Sequence, residues 1–143
     1  MQSKILCVPH SAIRTYLMIL VTTPEPTAIM DAYALIKTMS GEYPGSRVKL
    51  VVNNADTMRE AEYTMKKIIE VVSTYLKIDI ERFGCVLRDP AVSKAVRGQC
   101  PLIISQPKSA AAGSIREIAE GFLETESDRP GGIRGFFKRF LGA

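Results

Sequence analysis

No apolar run in this 143-residue chain comes near the roughly 20 residues of a membrane-spanning helix. The opening MQSKILCVPH has no secretory apolar region with a small-residue cleavage site, so a cytoplasmic placement is expected. The three cysteines, Cys7, Cys85 and Cys100, form no CxxC and are odd in number, which argues against a disulfide framework and reads as reduced thiols. The one histidine, His10, stands in Cys7-Val8-Pro9-His10, half of a metal site at most, and in no patterned Ser-His-Asp setting. No glycine pair has the GxxxxGK[ST] spacing of a phosphate-cradling loop. Neither apolar stretch, LMILVTT or VKLVVN, ends in an acid, so a magnesium-holding aspartate is not evident. The pairs Asp79/Glu81 and Glu124/Glu126 read as solvated surface, and no catalytic centre is legible.

What is present suits one globular domain. The chain is 46% hydrophobic and 24% charged, and its length lets it bury a core without disulfides or metal. Net charge is +4, but residues 1–16 carry Lys4 and Arg14 and no acid, and residues 133–143 carry Arg134, Lys138 and Arg139 and no acid. The body, 17–132, has fourteen bases against fifteen acids. A broad phosphate-binding face is therefore not expected, nor a specific nucleic-acid partner.

Residues 17–23, LMILVTT, form a short apolar run bounded by Pro24 and Pro26 and predict a buried strand. Thr23 or Thr27 is the expected cap of the helix that follows, whose stripe is Ile29, Ala32, Tyr33, Ile36 and Met39. VKLVVN, 48–53, predicts a second strand. A helix is expected from about Thr57 to Leu76 with the stripe Ala61, Met65, Ile68, Ile69, Val72 and Leu76. RFGCVL, 82–87, predicts a third strand. Asp89-Pro90 opens a helix that Gly98 stops, and a further helix runs from Ser109 to Leu123. Strands alternating with helices predict an α/β fold with a short, mostly parallel sheet between helical layers.

The last eleven residues place Ile133, Phe136, Phe137, Phe140 and Leu141 at i, i+3, i+4, i+7 and i+8, one stripe of a helix. Arg134, Lys138 and Arg139 lie off it. The segment follows a linker at 126–132 and is expected to lie as a membrane-binding amphipathic helix in the headgroup plane. The alternative is a terminal helix packed on the protein's own core. Three bases offer about 3 kcal/mol against an anionic surface, while ordering some ten residues costs on the order of 10 kcal/mol. Binding is then weak and reversible, and dimerisation would strengthen it.

The strings VTTPEPTAIMDAYALIKTM, VKLVVNNAD and FGCVLRDPAVSKAVRGQCPL resemble the MinD/ParA superfamily of deviant P-loop ATPases, and within it the FlhG/FleN flagellar-number regulators. The resemblance covers residues 17–125 and implies the C-terminal half of a P-loop NTPase (Rossmann-like) three-layer domain. Residues 1–16 do not resemble the family. The resemblance implies that Asn53 meets the adenine, through a side-chain amide that is both donor and acceptor. The alternative is a turn asparagine ending a strand. It also implies that Val86, Leu87 and Asp89 lie in the next base-facing segment, where Leu87 replaces the family's proline; Asp89 as a plain helix cap is the alternative. Asp31, Tyr33 and Lys37 would form the surface for protein regulators.

The implied function is regulation of flagellar number and placement, or of division-site placement, from the inner face of the plasma membrane. ATP or ADP would bind through the base only, magnesium is not expected, and this chain alone would not hydrolyse ATP. The alternatives are a membrane-tethered, non-enzymatic adaptor on a degenerate ATPase scaffold and a plain αβ domain. A half-sheet would expose the edge of LMILVTT, so a homodimer, another polypeptide or the improvised strand KILCV, 4–8, is expected to cover it, the alternative being a marginally stable chain.

Overall fold

The computed structural model describes residues 3–10 and 15–127. The run at 17–22 sits within strand β2 (Thr15–Thr22), where Leu17, Met18 and Leu20 are buried. A proline-rich turn leads to helix α1 (Pro26–Glu42), and the turn through Gly45 (φ +83°) returns the chain to strand β3 (Arg47–Ala55). β3 buries every residue from Val48 to Val52, as a strand covered on both faces must. Helix α2 (Met58–Leu76) then leads to strand β4 (Ile80–Leu87). Both β2–β3 and β3–β4 pair in parallel, as the alternation of apolar strands and helices predicts.

The edge of β2 is covered as the sequence suggests. Strand β1 (Lys4–His10), which contains KILCV, pairs antiparallel with β2, from Lys4 opposite Val21 to His10 opposite Thr15. The sheet order is β1-β2-β3-β4. Residues 4–10 thus belong to the same sheet as the part that resembles the ATPase family.

α1 and α2 pack together on one face. Met18, Leu20, Val48, Leu50 and Val52 from the strands meet Ala32, Ile36, Met65, Ile68 and Val72 from the helices in one core cluster. Each fully buried aliphatic side chain contributes about 1.5–3 kcal/mol. Beyond β4 come helix α3 (Pro90–Arg97), a single turn α4 (Leu102–Ser105) in the stretch between the two expected helices, and helix α5 (Ala110–Ser127). α5 runs two residues into the segment read as a linker. It packs on β4 with Ile118 beside Gly84. Gly84 pairs with Val51 and its neighbour Cys85 pairs with Val52 of the α1/α2 core, so strand alternation puts α5 on the opposite face. The result is the three-layer, Rossmann-like arrangement expected. The amphipathic tail 133–143 lies outside the described residues, and among those residues no helix is long and apolar enough to cross a membrane.

One capping expectation is corrected. The cap of α1 is Glu25, followed by Pro26 and without a side-chain cap bond, rather than Thr23 or Thr27. The threonine before it is used differently. The Thr22 hydroxyl donates to the Ala28 carbonyl at 3.2 Å, beside a 2.7 Å bond from Ser3 to the same oxygen. These bonds tie the start of the chain and the end of β2 to the first turn of α1. α2 and α3 follow the sequence closely: Thr57 Oγ1 accepts the Glu60 N–H, and Asp89 caps α3.

Candidate functional site

Parallel α/β sheets present their sites at the carboxyl ends of the strands. Here that rim is made by Thr22-Thr23 after β2, Asn53 to Asp56 at the end of β3, and Leu87 to Asp89 after β4. β3 and β4 lose regular register between Asn53 and Ala55, where Asn54 adopts a left-handed φ of +61°. Asparagine tolerates that conformation better than most residues. The Ala55 carbonyl then accepts the Arg88 N–H at 2.8 Å, and the Arg88 guanidinium meets Asp56 at 3.1 Å. Two strand ends are thereby pinned side by side.

Asp89 is the hinge pin of this rim. Its Oδ1 accepts the Ala91 N–H at 2.8 Å and its Oδ2 accepts the Ala111 N–H at 3.0 Å. One carboxylate therefore caps α3 and holds the first turn of α5. The Ala111 and Ala91 amides, in that order, hold its pKa below the ordinary carboxylate value against a smaller opposing effect of burial. The helix-cap alternative for Asp89 describes what both oxygens do.

The other residues read as base-facing divide. Asn53 is half-buried at the end of β3, opposite Val86 in register, and its amide has no hydrogen-bond partner among the described residues. Val86 is buried, and the Leu87 side chain packs against the α1/α2 core, so these two offer a ligand their backbone rather than their side chains. One group at the rim was missed by sequence reasoning. The Thr23 hydroxyl is buried without a hydrogen-bond partner among the described residues. Thr22 pairs with Val52, so alternation puts Thr23 on the face that carries Asn53. Only its place at the end of an apolar strand could have singled it out.

The proposed regulator surface on α1 is not one patch. Tyr33 lines a groove of about 730 Å³ between α1 and α2, together with Ile29, Met30, Tyr63, Val71 and Tyr75. Met30 is 70% exposed and Tyr75 73%. Lys37 instead lines a cavity of about 770 Å³ at the opposite end of the strands, with Arg47 and Lys77. Asp31 is exposed on α1 and lines neither. The signal for the groove was present in α2, where Tyr63, Val71 and Tyr75 lie off the core stripe.

Among the described residues, no group of three metal-ligating side chains converges. Cys85, on the α1/α2 face of β4, lies 3.2 Å from the Met58 sulfur. Burial first, then Glu62 and Glu117, push its thiol pKa up, so it is not an activated nucleophile.

No protein-family model matches the chain. Over 103 residues, 72% of this chain and 37% of the relative, it is 30% identical to the antiactivator FleN of Pseudomonas aeruginosa. It is 28% identical to the flagellum site-determining protein YlxH of Helicobacter pylori, covering 87% of this chain and 44% of that one. It is 31% identical to an uncharacterised ATP-binding protein of Methanocaldococcus jannaschii, covering 71% and 36%. The chain spans less than half the length of these curated relatives. In fold and in sequence the chain is similar to the α/β, P-loop NTPase type of protein that includes the MinD/ParA superfamily. Within that class the chain is a FlhG/FleN-like partial ATPase domain.

Proposed function

We propose that this chain acts in the control of flagellar number and placement, recognising a nucleotide base at its strand ends and a protein regulator along α1. The likeness to FleN and YlxH over most of the chain carries this reading. At the rim, the Asn53 amide contacts the base, the backbone at Val86 and Leu87 completes the edge, and Asp89 holds the following loop in position. This chain has no GxxxxGK[ST] loop, so the phosphates of ATP or ADP are not gripped by it. It therefore binds nucleotide through the base only, holds no magnesium and does not hydrolyse ATP by itself.

The regulator meets α1 at Tyr33, which leads into the α1/α2 groove. The tail 133–143 lies on an anionic inner-membrane surface through Ile133, Phe136, Phe137, Phe140 and Leu141, with Lys138 and Arg139 at the headgroups. A homodimer would double that contact.

The test is to express the chain in a flagellated bacterium deleted for its own FlhG-type regulator and to count flagella by electron microscopy. A change in number or position per cell is expected. Unchanged flagella with displaced septa would transfer the role to division-site placement, and no change in either would leave a non-enzymatic adaptor as the better account.

A further inference from the structure

The end of the domain from Arg88 to Arg116 combines charge and exposed apolar surface in a way the nucleotide rim does not use. Five bases, Arg88, Lys94, Arg97, Lys108 and Arg116, stand there against one acid, Asp89, and of the five Arg88 is paired with Asp56 from the end of β3. Both oxygens of that acid are taken by backbone N–H groups. Residues 17–87, by contrast, hold eight bases against nine acids. The body's positive charge is thus gathered at the α3–α4 corner, a segregation that the near-neutral sum over 17–132 conceals.

The same corner exposes aliphatic side chains. Val92 and Val96 lie four residues apart on one flank of α3, and Val96 is 70% exposed. α4 packs against α3 and exposes Ile103 and Ile104, the latter by 72%. Four exposed β-branched aliphatics within thirteen residues, flanked by Lys94, Arg97 and Lys108, mark an interaction surface rather than scattered singles. Among the described residues, no carboxylate pairs with those three bases.

An anionic bilayer satisfies both halves of this chemistry, since its headgroups take the cations and its acyl boundary takes the isoleucines. Duplex nucleic acid offers the phosphates but no apolar phase for Ile103 and Ile104. We propose that the α3–α4 corner is a membrane contact carried by the body of the domain, with Lys94, Arg97 and Lys108 at anionic headgroups and Val96, Ile103 and Ile104 at the acyl boundary. This contact is distinct from the tail and does not rest on it.

The experiment uses the full chain in vesicle co-sedimentation, with phosphatidylglycerol/phosphatidylcholine vesicles, pure phosphatidylcholine vesicles and a duplex DNA oligonucleotide as probes. The tail is disabled by Phe136→Glu/Phe137→Glu. On that background, binding to anionic vesicles persists, weakens with salt and is absent with neutral lipid. Adding Lys94→Glu/Arg97→Glu lowers the partition constant by about tenfold or more, and Val96→Ser/Ile104→Ser lowers it severalfold. Circular dichroism melts establish that each variant is folded. An unchanged partition constant in both corner variants overturns the proposal. So does DNA binding that the charge variant abolishes while vesicle binding stays at zero. The tail reading fails separately, through an unchanged bound fraction when Phe136 and Phe137 alone are replaced.

Discussion

Asp89 Oδ2 accepts the Ala111 N–H at 3.0 Å, joining the end of β4 to the first turn of a helix 22 residues further on. Because Oδ1 caps α3 at the same time, replacing Asp89 by alanine removes two helix-end bonds. The expected loss is about 5 °C in Tm at neutral pH. The amides of Ala111 and Ala91 lower the folded-state pKa, so this stabilisation is full above the unfolded-state value of about 4 and is lost as pH falls through the folded-state value. The Tm difference between the wild type and Asp89→Ala should therefore shrink from pH 6 towards pH 3. A pH-independent difference in calorimetric melts would mean that the carboxylate does not hold α3 and α5.

Gly84 is required by what faces it. A Cβ there would stand 2.6 Å from Ile118 Cγ1 and 3.0 Å from its Cδ1. Gly84→Ala should cost about 1–3 kcal/mol as overpacking. Ile118→Ala removes both atoms, so the double variant should be more stable than the sum of the singles predicts, by about 1 kcal/mol or more. Urea titrations with a common m-value measure the coupling, and additive losses would remove α5 from its stated seat on β4.

The parallel unit was legible because periodicity carries it. LMILVTT and VKLVVN are short runs too apolar for surface loops, and the α2 stripe from Ala61 to Val72 repeats as a helix must. β1 followed from a different argument, the edge that a half-sheet leaves open, and KILCV is the strand that closes it. The single turn α4 left no periodic signal because four residues complete none. Lys49 is the clearest case of tertiary override. It reads as a polar break in VKLVVN, yet its side chain is fully buried, with Nζ 3.2 Å from Glu81 and 4.1 Å from the centre of the Phe83 ring. At the site, Asn53 could be singled out by resemblance. The Asp89–Ala111 bond and the Arg88–Asp56 pair could not, since neither spacing belongs to a local pattern.

Cys85 should behave as a partly buried, hindered thiol. Desolvation, with Glu62 and Glu117 adding smaller contributions, raises its pKa, so its thiolate fraction at neutral pH is below that of a free cysteine. In a Cys7→Ser/Cys100→Ser background, its alkylation by iodoacetamide at pH 7.5 should run several times slower than that of glutathione. Glu62→Gln should speed it modestly. A rate above that of glutathione would show a thiolate that the surroundings of β4 do not favour.

A rim that grips only the base makes a simple thermodynamic forecast. With no phosphate loop in this chain, ATP, ADP and adenosine should bind alike, within about threefold, at millimolar strength and with no response to magnesium. The Asn53 amide offers the base one donor and one acceptor, each worth about 0.5–1.5 kcal/mol, so Asn53→Ala should weaken all three ligands by about tenfold. Thr23→Val tests the neighbouring orphan hydroxyl. If that group also reaches the ligand, the substitution weakens binding; if it is merely unsatisfied, the variant melts higher and binds as before. Isothermal titration and thermal melts of the three proteins separate these outcomes. ATP binding tenfold tighter than adenosine binding, and tighter again with magnesium, would require a phosphate grip that none of the residues at this rim supplies.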